Sequence, residues 1–234
     1  MNSYNQFVGM DNLCVVQARM SSSRFPGKVL APFADSTVIE VLLGRVTRSK
    51  SLSRVVVATS QDSSDNVLSD LIGDDFIFRG NLLDVRSRFI ELAKIFDPQN
   101  IVRITGDCPL VCFELIDQMM SVHISTNADY TANSNVNRYP KGFDVEIFKS
   151  EVLFRTDFQT NDLYQKEHVT PWMYTSGLLN VTNVEFFDEK KTKDLNFSVD
   201  TPSDLDFLQS LEVQHSISKH PFREIWRRIS DSNN

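Results

Sequence analysis

The chain has 234 residues, 41% of them apolar and 24% charged, which suits one sizeable core in an ordinary globular protein. A net charge of −7 and a pI near 5.1 exclude a general nucleic-acid binder, since no basic stripe is long enough to neutralise a phosphate backbone, so any anion site is local. Three cysteines, Cys14, Cys108 and Cys112, with no CxxC pair exclude a disulfide framework and fit reduced thiols.

Residues 1–11 are polar and without period, which reads as a flexible extension ahead of a single domain over 12–234. This N-terminus has neither a basic nor an apolar leader segment, and no run of about 18 apolar residues follows, so the protein is expected in the cytoplasm and off the membrane. Short β-branched runs then alternate with amphipathic stretches: LCVVQA (13–18), STVIEVLLGRVTRS (36–49), RVVVATS (54–60), DNVLSDLIG (65–73), DFIFRG (75–80), DVRSRFIELAKIF (84–96) and NIVRITGD (100–107). The order strand, helix, strand, helix, strand, helix, strand predicts an α/β parallel sheet covered on both faces. Asp84 is the expected N-cap of its helix, and DPQN at 97–100 ends it.

From about residue 130 the texture changes to polar loop with one alternating segment, FDVEIF, and Pro171 in QKEHVTPWMYTS breaks any helix begun before it. LNFSVDTPSDLDFLQSL reads as strand, tight turn and helix, and PFREIWRRI as a last amphipathic helix. The region near 130–185 is therefore expected as a mixed insertion.

In open α/β sheets ligands collect at the carboxyl ends of the strands, and QARMSSSRFPGKVL follows the first strand there. Pro26 and Gly27 set a turn, Ser21 to Ser23 offer hydroxyls and backbone N–H groups, and Arg19, Arg24 and Lys28 bring positive charge into an acidic protein. The stretch fits a phosphate clamp; a solvated basic loop fits its composition as well. Neither GxxxxGK[ST] nor GxGxxG is present, which removes the P-loop and dinucleotide-binding readings. In RITGDCPLV, Asp107 ends the fourth predicted strand, and in FSVDTPSDL, Asp200 ends another. Two strand-end carboxylates beside a phosphate clamp would share one magnesium ion, a hard cation that takes carboxylate and phosphate oxygens. Each aspartate also suits a turn or a helix cap, Asp200 more so because Pro202 follows.

QARMSSSRFPGKVL resembles the signature of the cytidylyltransferases that activate acidic sugars, the group of the CMP-Kdo and CMP-sialate synthetases, nearest its spore coat polysaccharide biosynthesis protein F-like branch. VVVATS, FRGN with DV following, VRITGDCPL, YPKGFDVEIF, KEHVTPW and VDTPSDL are similar to that branch's pattern in the same order, over about 13–210. The resemblance implies a doubly wound, mixed and mainly parallel sheet of nucleotide-diphospho-sugar transferase type, with an inserted α+β region serving dimerisation and the acceptor. It implies CTP and Mg2+ as nucleotide and cofactor, and a homodimer. Carried over by position, Ala18, Arg19, Ser22, Arg24 and Lys28 hold the nucleotide, Asp107 and Asp200 the metal, and Ala58, Thr59 and Arg79 lie near the base. Asp144, Glu146, Glu167 and His168 match acceptor-facing positions. Ser21 stands where the family usually has glycine, which implies strain if positive φ is needed there, and Lys166 stands where arginine is usual.

The reaction implied is attack of an acceptor oxygen, on an acidic sugar or a related polar metabolite, on the α-phosphorus of CTP with release of pyrophosphate. Arg19, Lys28 and Asp107 would carry the catalysis, and the product would feed surface polysaccharide synthesis. The alternatives are a metal-dependent glycosyltransferase, whose D-x-D motif has a counterpart only in Asp204 and Asp206 within a predicted helix, and a non-catalytic nucleotide-binding subunit.

Overall fold

β-Branched runs buried on both sides have nowhere to satisfy their backbone groups except in neighbouring strands, and the chain resolves this with a seven-stranded sheet. The computed structural model describes residues 11–134, 139–159, 162–185 and 195–232. In chain order these contain β1 (Asn12–Gln17), β2 (Pro32–Phe33), β3 (Ser36–Thr37), α1 (Val38–Val46), β4 (Arg54–Ser60), α2 (Asn66–Ile72), β5 (Ile77–Gly80), α3 (Val85–Phe96) and β6 (Asn100–Thr105). There follow α4 (Phe113–Ser125), β7 (Tyr130–Ala132), β8 (Glu146–Lys149), α5 (Ser150–Gln159), α6 (Leu163–His168), α7 (Pro171–Thr175), β9 (Val181–Asn183), α8 (Pro202–His215) and α9 (Phe222–Ser232). The expected extension lies almost wholly outside the described residues.

The sheet order is β5-β4-β1-β6-β8-β7-β9. The first four strands are mutually parallel, β8 runs antiparallel to both β6 and β7, and β9 is parallel to β7. The alternation along β1 divides the core. Cys14 and Val16 face a layer built from α1, α2, α4, α8 and α9, while Leu13 and Val15 face α3, α5 and α7. This is the doubly wound, mixed and mainly parallel α/β sheet that the sequence pattern predicts. The three cysteines are free and buried.

Local chemistry sets the element ends. Asp84 caps α3 by accepting from Ser87 N at 2.9 Å, and Asp97 closes that helix with φ +47°. Pro171 separates α6 from α7, as its missing N–H requires. The strand expected in LNFSV is instead an extended segment with one isolated bridge, Lys141 to Asn196, because its N–H groups go to Lys141 O (from Phe197, 2.7 Å) and Asp107 O (from Val199, 2.8 Å) rather than to a ladder. Phe143 anchors this segment, with ring centroids 5.2 Å from Phe197 and 4.5 Å from Phe222. A fully buried ring of this size contributes roughly 1.5–3 kcal/mol.

Candidate active site

The carboxyl ends of β1 and β6 meet closely because Gly106 allows it: a Cβ there would lie 2.8 Å from Ala18 Cβ. Gly106 N donates to Gln17 O at 2.8 Å, so the loops after the two strands leave the sheet side by side. The loop after β1 turns around Met20, whose carbonyl accepts from Ser22 N (2.9 Å) and Gly27 N (2.8 Å). Gly27, at φ +74°, then starts a 3-10 turn at Lys28. Met20 N donates to the fully buried Asp65 carboxylate at 2.7 Å, and Asp65 also accepts from Ser60 N at 3.0 Å and from the Ser60 hydroxyl. Asp65 thereby ties the loop to the end of β4.

These elements enclose a cleft of about 330 Å3 lined by Ala18, Arg19, Ser22, Arg24, Lys28, Asp107, Glu167, His168 and Asp200, among others. Lys28 Nζ lies 2.5 Å from Asp107 Oδ2 and 3.1 Å from Asp200 Oδ1, so those two carboxylate oxygens are separated by no more than the two contacts laid end to end. The hydrogen bond from Val199 N to Asp107 O draws together two aspartates distant in the chain. Asp200 caps no helix: Thr201 caps α8 in a capping box with Asp204, and Asp204 Oδ2 holds Asp200 N at 3.1 Å. Asp204 is thus committed to the cap, leaving no D-x-D metal motif there.

Positive charge surrounds the aspartates. Arg24 Nη2 lies 2.9 Å from Asp200 Oδ1, Lys141 Nζ contacts Asp200 Oδ2, and Arg19 Nη2 lies 3.0 Å from Glu167 Oε1. Burial alone would raise the Asp200 carboxyl, but the hydrogen bonds from Lys141 and Lys28 outweigh it and hold it down at about 2. Burial alone would lower Lys28, yet Asp107 and Asp200 bring it above its ordinary value. A basic loop whose cations were merely solvated would show no such convergence on two strand-end carboxylates.

The structure places other expected residues elsewhere. Ala58 and Thr59 are fully buried, and the Ala58 carbonyl accepts from Ala18 N and Arg88 Nη1, so neither reaches the cleft. Arg79 is away from it too: its guanidinium donates to Ser60 O (2.9 Å), Asn66 Oδ1 (2.8 Å) and Asp62 O (2.8 Å), bracing the turn after β4. Glu146 is 7% exposed and faces the core, paired with Arg103 and accepting from the Tyr130 hydroxyl (2.5 Å) and Thr170 Oγ1 (2.6 Å). Asp144 does not line the cleft either, and its Oδ2 accepts from Gly142 N at 3.3 Å. Burial raises its carboxyl, and the charges of Glu146 and Asp107 add to that. Ser21 has no positive φ, so serine in place of glycine brings no backbone strain. Lys166 Nζ lies 3.9 Å from Asp84, linking α6 to the start of α3.

Three participants escape the sequence reading. Lys141 reaches Asp200 because Gly142, at φ +97°, passes so near Phe197 that a Cβ would fall 2.3 Å from its carbonyl carbon; the PKG triplet is the visible signal. Arg88 lines the cleft from α3 and donates to Asn81 O (2.7 Å) and Leu82 O (3.0 Å), with burial pushing its guanidinium down to about 10. Gln17, the last residue of β1, lines it as well.

The family model described as cytidylyltransferase matches residues 13–223. The spore coat polysaccharide biosynthesis protein SpsF of Bacillus subtilis (strain 168) is 32% identical over 209 residues, covering 86% of each chain. The 3-deoxy-manno-octulosonate cytidylyltransferase of Leptospira interrogans serovar Lai is 30% identical over 233 residues, covering 84% of this chain and 94% of that one. A cytidylyltransferase structure from Leptospira borgpetersenii serovar Hardjo-bovis superposes with a TM-score of 0.89 at 26% identity, covering 96% of this chain and 95% of that one. The chain therefore belongs to the cytidylyltransferase family and is a CTP-dependent nucleotidyltransferase.

Proposed function

We propose that the protein transfers CMP from CTP to an acidic sugar, releasing pyrophosphate, and so supplies an activated precursor for surface polysaccharide. The observation that carries this reading is the meeting of Lys28 with Asp107 and Asp200 in one cleft with Arg19 and Arg24. An acceptor oxygen bonds to the α-phosphorus as the bond to the β-phosphate oxygen breaks, and pyrophosphate leaves with the electron pair. The Lys28 ammonium and the Arg19 and Arg24 guanidinium groups hold phosphate oxygens and take up the charge that gathers on the leaving group. The loop pinned at Met20 presents these donors already oriented. No strong base is required; His168, on the cleft wall, is the runner-up candidate to take the acceptor's proton, and Glu167 pairs with Arg19.

Asp107 and Asp200 suit a hard divalent cation: both are carboxylates, they lie within reach of one centre, and the Lys28 ammonium between them already supplies positive charge at that place. Mg2+ held there would neutralise phosphoryl charge. The protein is read as a cytoplasmic homodimer assembled through the inserted region near 130–185, within one nucleotidyltransferase domain over 12–234. Among the described residues no helix is long and apolar enough to cross a membrane.

The test is pyrophosphate release with each of the four nucleoside triphosphates against octulosonic acids, nonulosonic acids and phosphorylated polyols. Release with CTP and an acidic sugar is expected. Release only with a polyol phosphate, or with another triphosphate in preference to CTP, overturns the assignment.

A further inference from the structure

Gln17 carries an inference beyond the clamp, on the strength of an orientation that chemistry fixes. Arg103 Nε donates to Gln17 Oε1 at 3.0 Å. An arginine has donors only, so the amide atom facing it must be the oxygen, and Nε2 with its two N–H groups is turned the other way. Gln17 lines the cleft, and its Nε2 has no hydrogen-bond partner among the described residues. Arg103 cannot swing aside, because its guanidinium is paired with Glu146, which is held in turn by the Tyr130 and Thr170 hydroxyls. The buried carboxylate thus acts on the cleft through two intermediaries.

The two faces of the sheet say which substrate this donor meets. Gln17 follows Leu13 and Val15 in the alternation of β1, and Arg103 stands opposite Val15, so both side chains lie on the face covered by α3, α5 and α7. α6, which carries Glu167 and His168 to the cleft, is tied to the start of α3 through Lys166 and Asp84. Lys28, Asp107 and Asp200, which suit the triphosphate, adjoin Val29, Cys108 and Val199 in the opposite core layer.

We propose that Gln17 is a specificity-determining residue whose amide N–H, oriented by the Arg103–Glu146 pair, donates to an oxygen of the acceptor. This rests on the nucleotidyl-transfer reading above. The ligand chemistry is an oxygen that accepts a hydrogen bond, such as the carboxylate of an acidic sugar. An acceptor with an ammonium or amide nitrogen at that place is rejected.

Gln17→Glu tests it with little change of shape. One carboxylate oxygen keeps Arg103 satisfied while the other turns a donor into an acceptor facing the substrate oxygen. Gln17→Met removes the donor without adding charge. Steady-state pyrophosphate release is measured with CTP and, in turn, 3-deoxy-manno-octulosonate, N-acetylneuraminate and a phosphorylated polyol, using the one that wild type turns over best. For Gln17→Glu the KM for the acceptor rises about 10- to 100-fold, as expected where a carboxylate oxygen replaces a donor facing the acceptor oxygen, while the KM for CTP stays within about twofold. Gln17→Met gives a smaller rise in the same constant, and the melting temperature of Gln17→Glu stays at the wild-type value. Wild-type turnover with an unchanged acceptor KM in both variants overturns the proposal alone, as does a rise confined to the KM for CTP or a fall in kcat with lost thermal stability. Wild type that binds CTP and releases no pyrophosphate with any of these acceptors overturns the underlying reading and this proposal with it.

Discussion

Asp200→Asn removes one negative charge from among three cations while keeping the shape of the side chain. The Asp200 carboxyl titrates at about 2 instead of its ordinary 3.8, held down by Lys141 and Lys28 against the upward push of burial. At about 1.36 kcal/mol per pH unit, that displacement is worth about 2 kcal/mol to the folded protein. Because the folded value is depressed, the contribution is complete above the ordinary value and disappears as pH falls from about 4 towards 2. The side chain is 10% exposed, so solvent screens the interaction little. Urea unfolding of wild type and variant should differ by about 2 kcal/mol at pH 7, equivalent to roughly 4–8 °C in melting temperature, and the difference should shrink to about 1 kcal/mol by pH 3. The loss of one anion also leaves Arg24 and Lys141 facing each other uncompensated, which acts in the same direction at neutral pH. A difference below about 0.5 kcal/mol at pH 7, the size ordinary surface changes produce, would refute the reasoning. So would a difference that fails to shrink on acidification.

Lys28→Met leaves Asp107 without its cation and the triphosphate without its central donor; pyrophosphate release should slow by about 10²–10³-fold in a steady-state assay. Asp65→Asn replaces an acceptor of three hydrogen bonds with a group that also carries donors, so a thermal melt should show a loss of about 1–3 kcal/mol and calorimetry a weaker affinity for CTP. EDTA should stop pyrophosphate release and added Mg2+ restore it, with circular dichroism unchanged throughout, since Lys28 links Asp107 and Asp200 directly.

Apolar periodicity made β1, β4, β5 and β6 legible, along with the helices between them, because strands buried on both faces cannot hide their composition. Asp107 and the Arg19–Lys28 loop were legible for a related reason: residues at the carboxyl end of a parallel strand lie where ligands collect, whatever their partners. Partnership itself was not legible. That Glu146 would face inward depends on Arg103 standing opposite it across the antiparallel β6–β8 pairing, a register set by the inserted region. Arg79 was placed near the base only by the family resemblance, and its position near the end of β5 does not show that its guanidinium donates to the Ser60 and Asp62 carbonyls of the adjacent turn. Lys141 was hidden by the many residues separating it from Asp200, and only the close passage of Gly142 over Phe197 brings the two together.

The link between α6 and α7 holds Val169 at φ +68°, ψ −54°, a backbone shape that a β-branched residue tolerates only under compulsion, at roughly 1–3 kcal/mol. Its side chain is 1% exposed and packed into the core, and Thr170 beside it is fastened to Glu146. Glycine would relieve the contortion and free the segment at once, so the tension at Val169 goes together with stillness in His168, one residue upstream. An engineer seeking heat tolerance in this protein should leave that hinge tight and look for slack elsewhere.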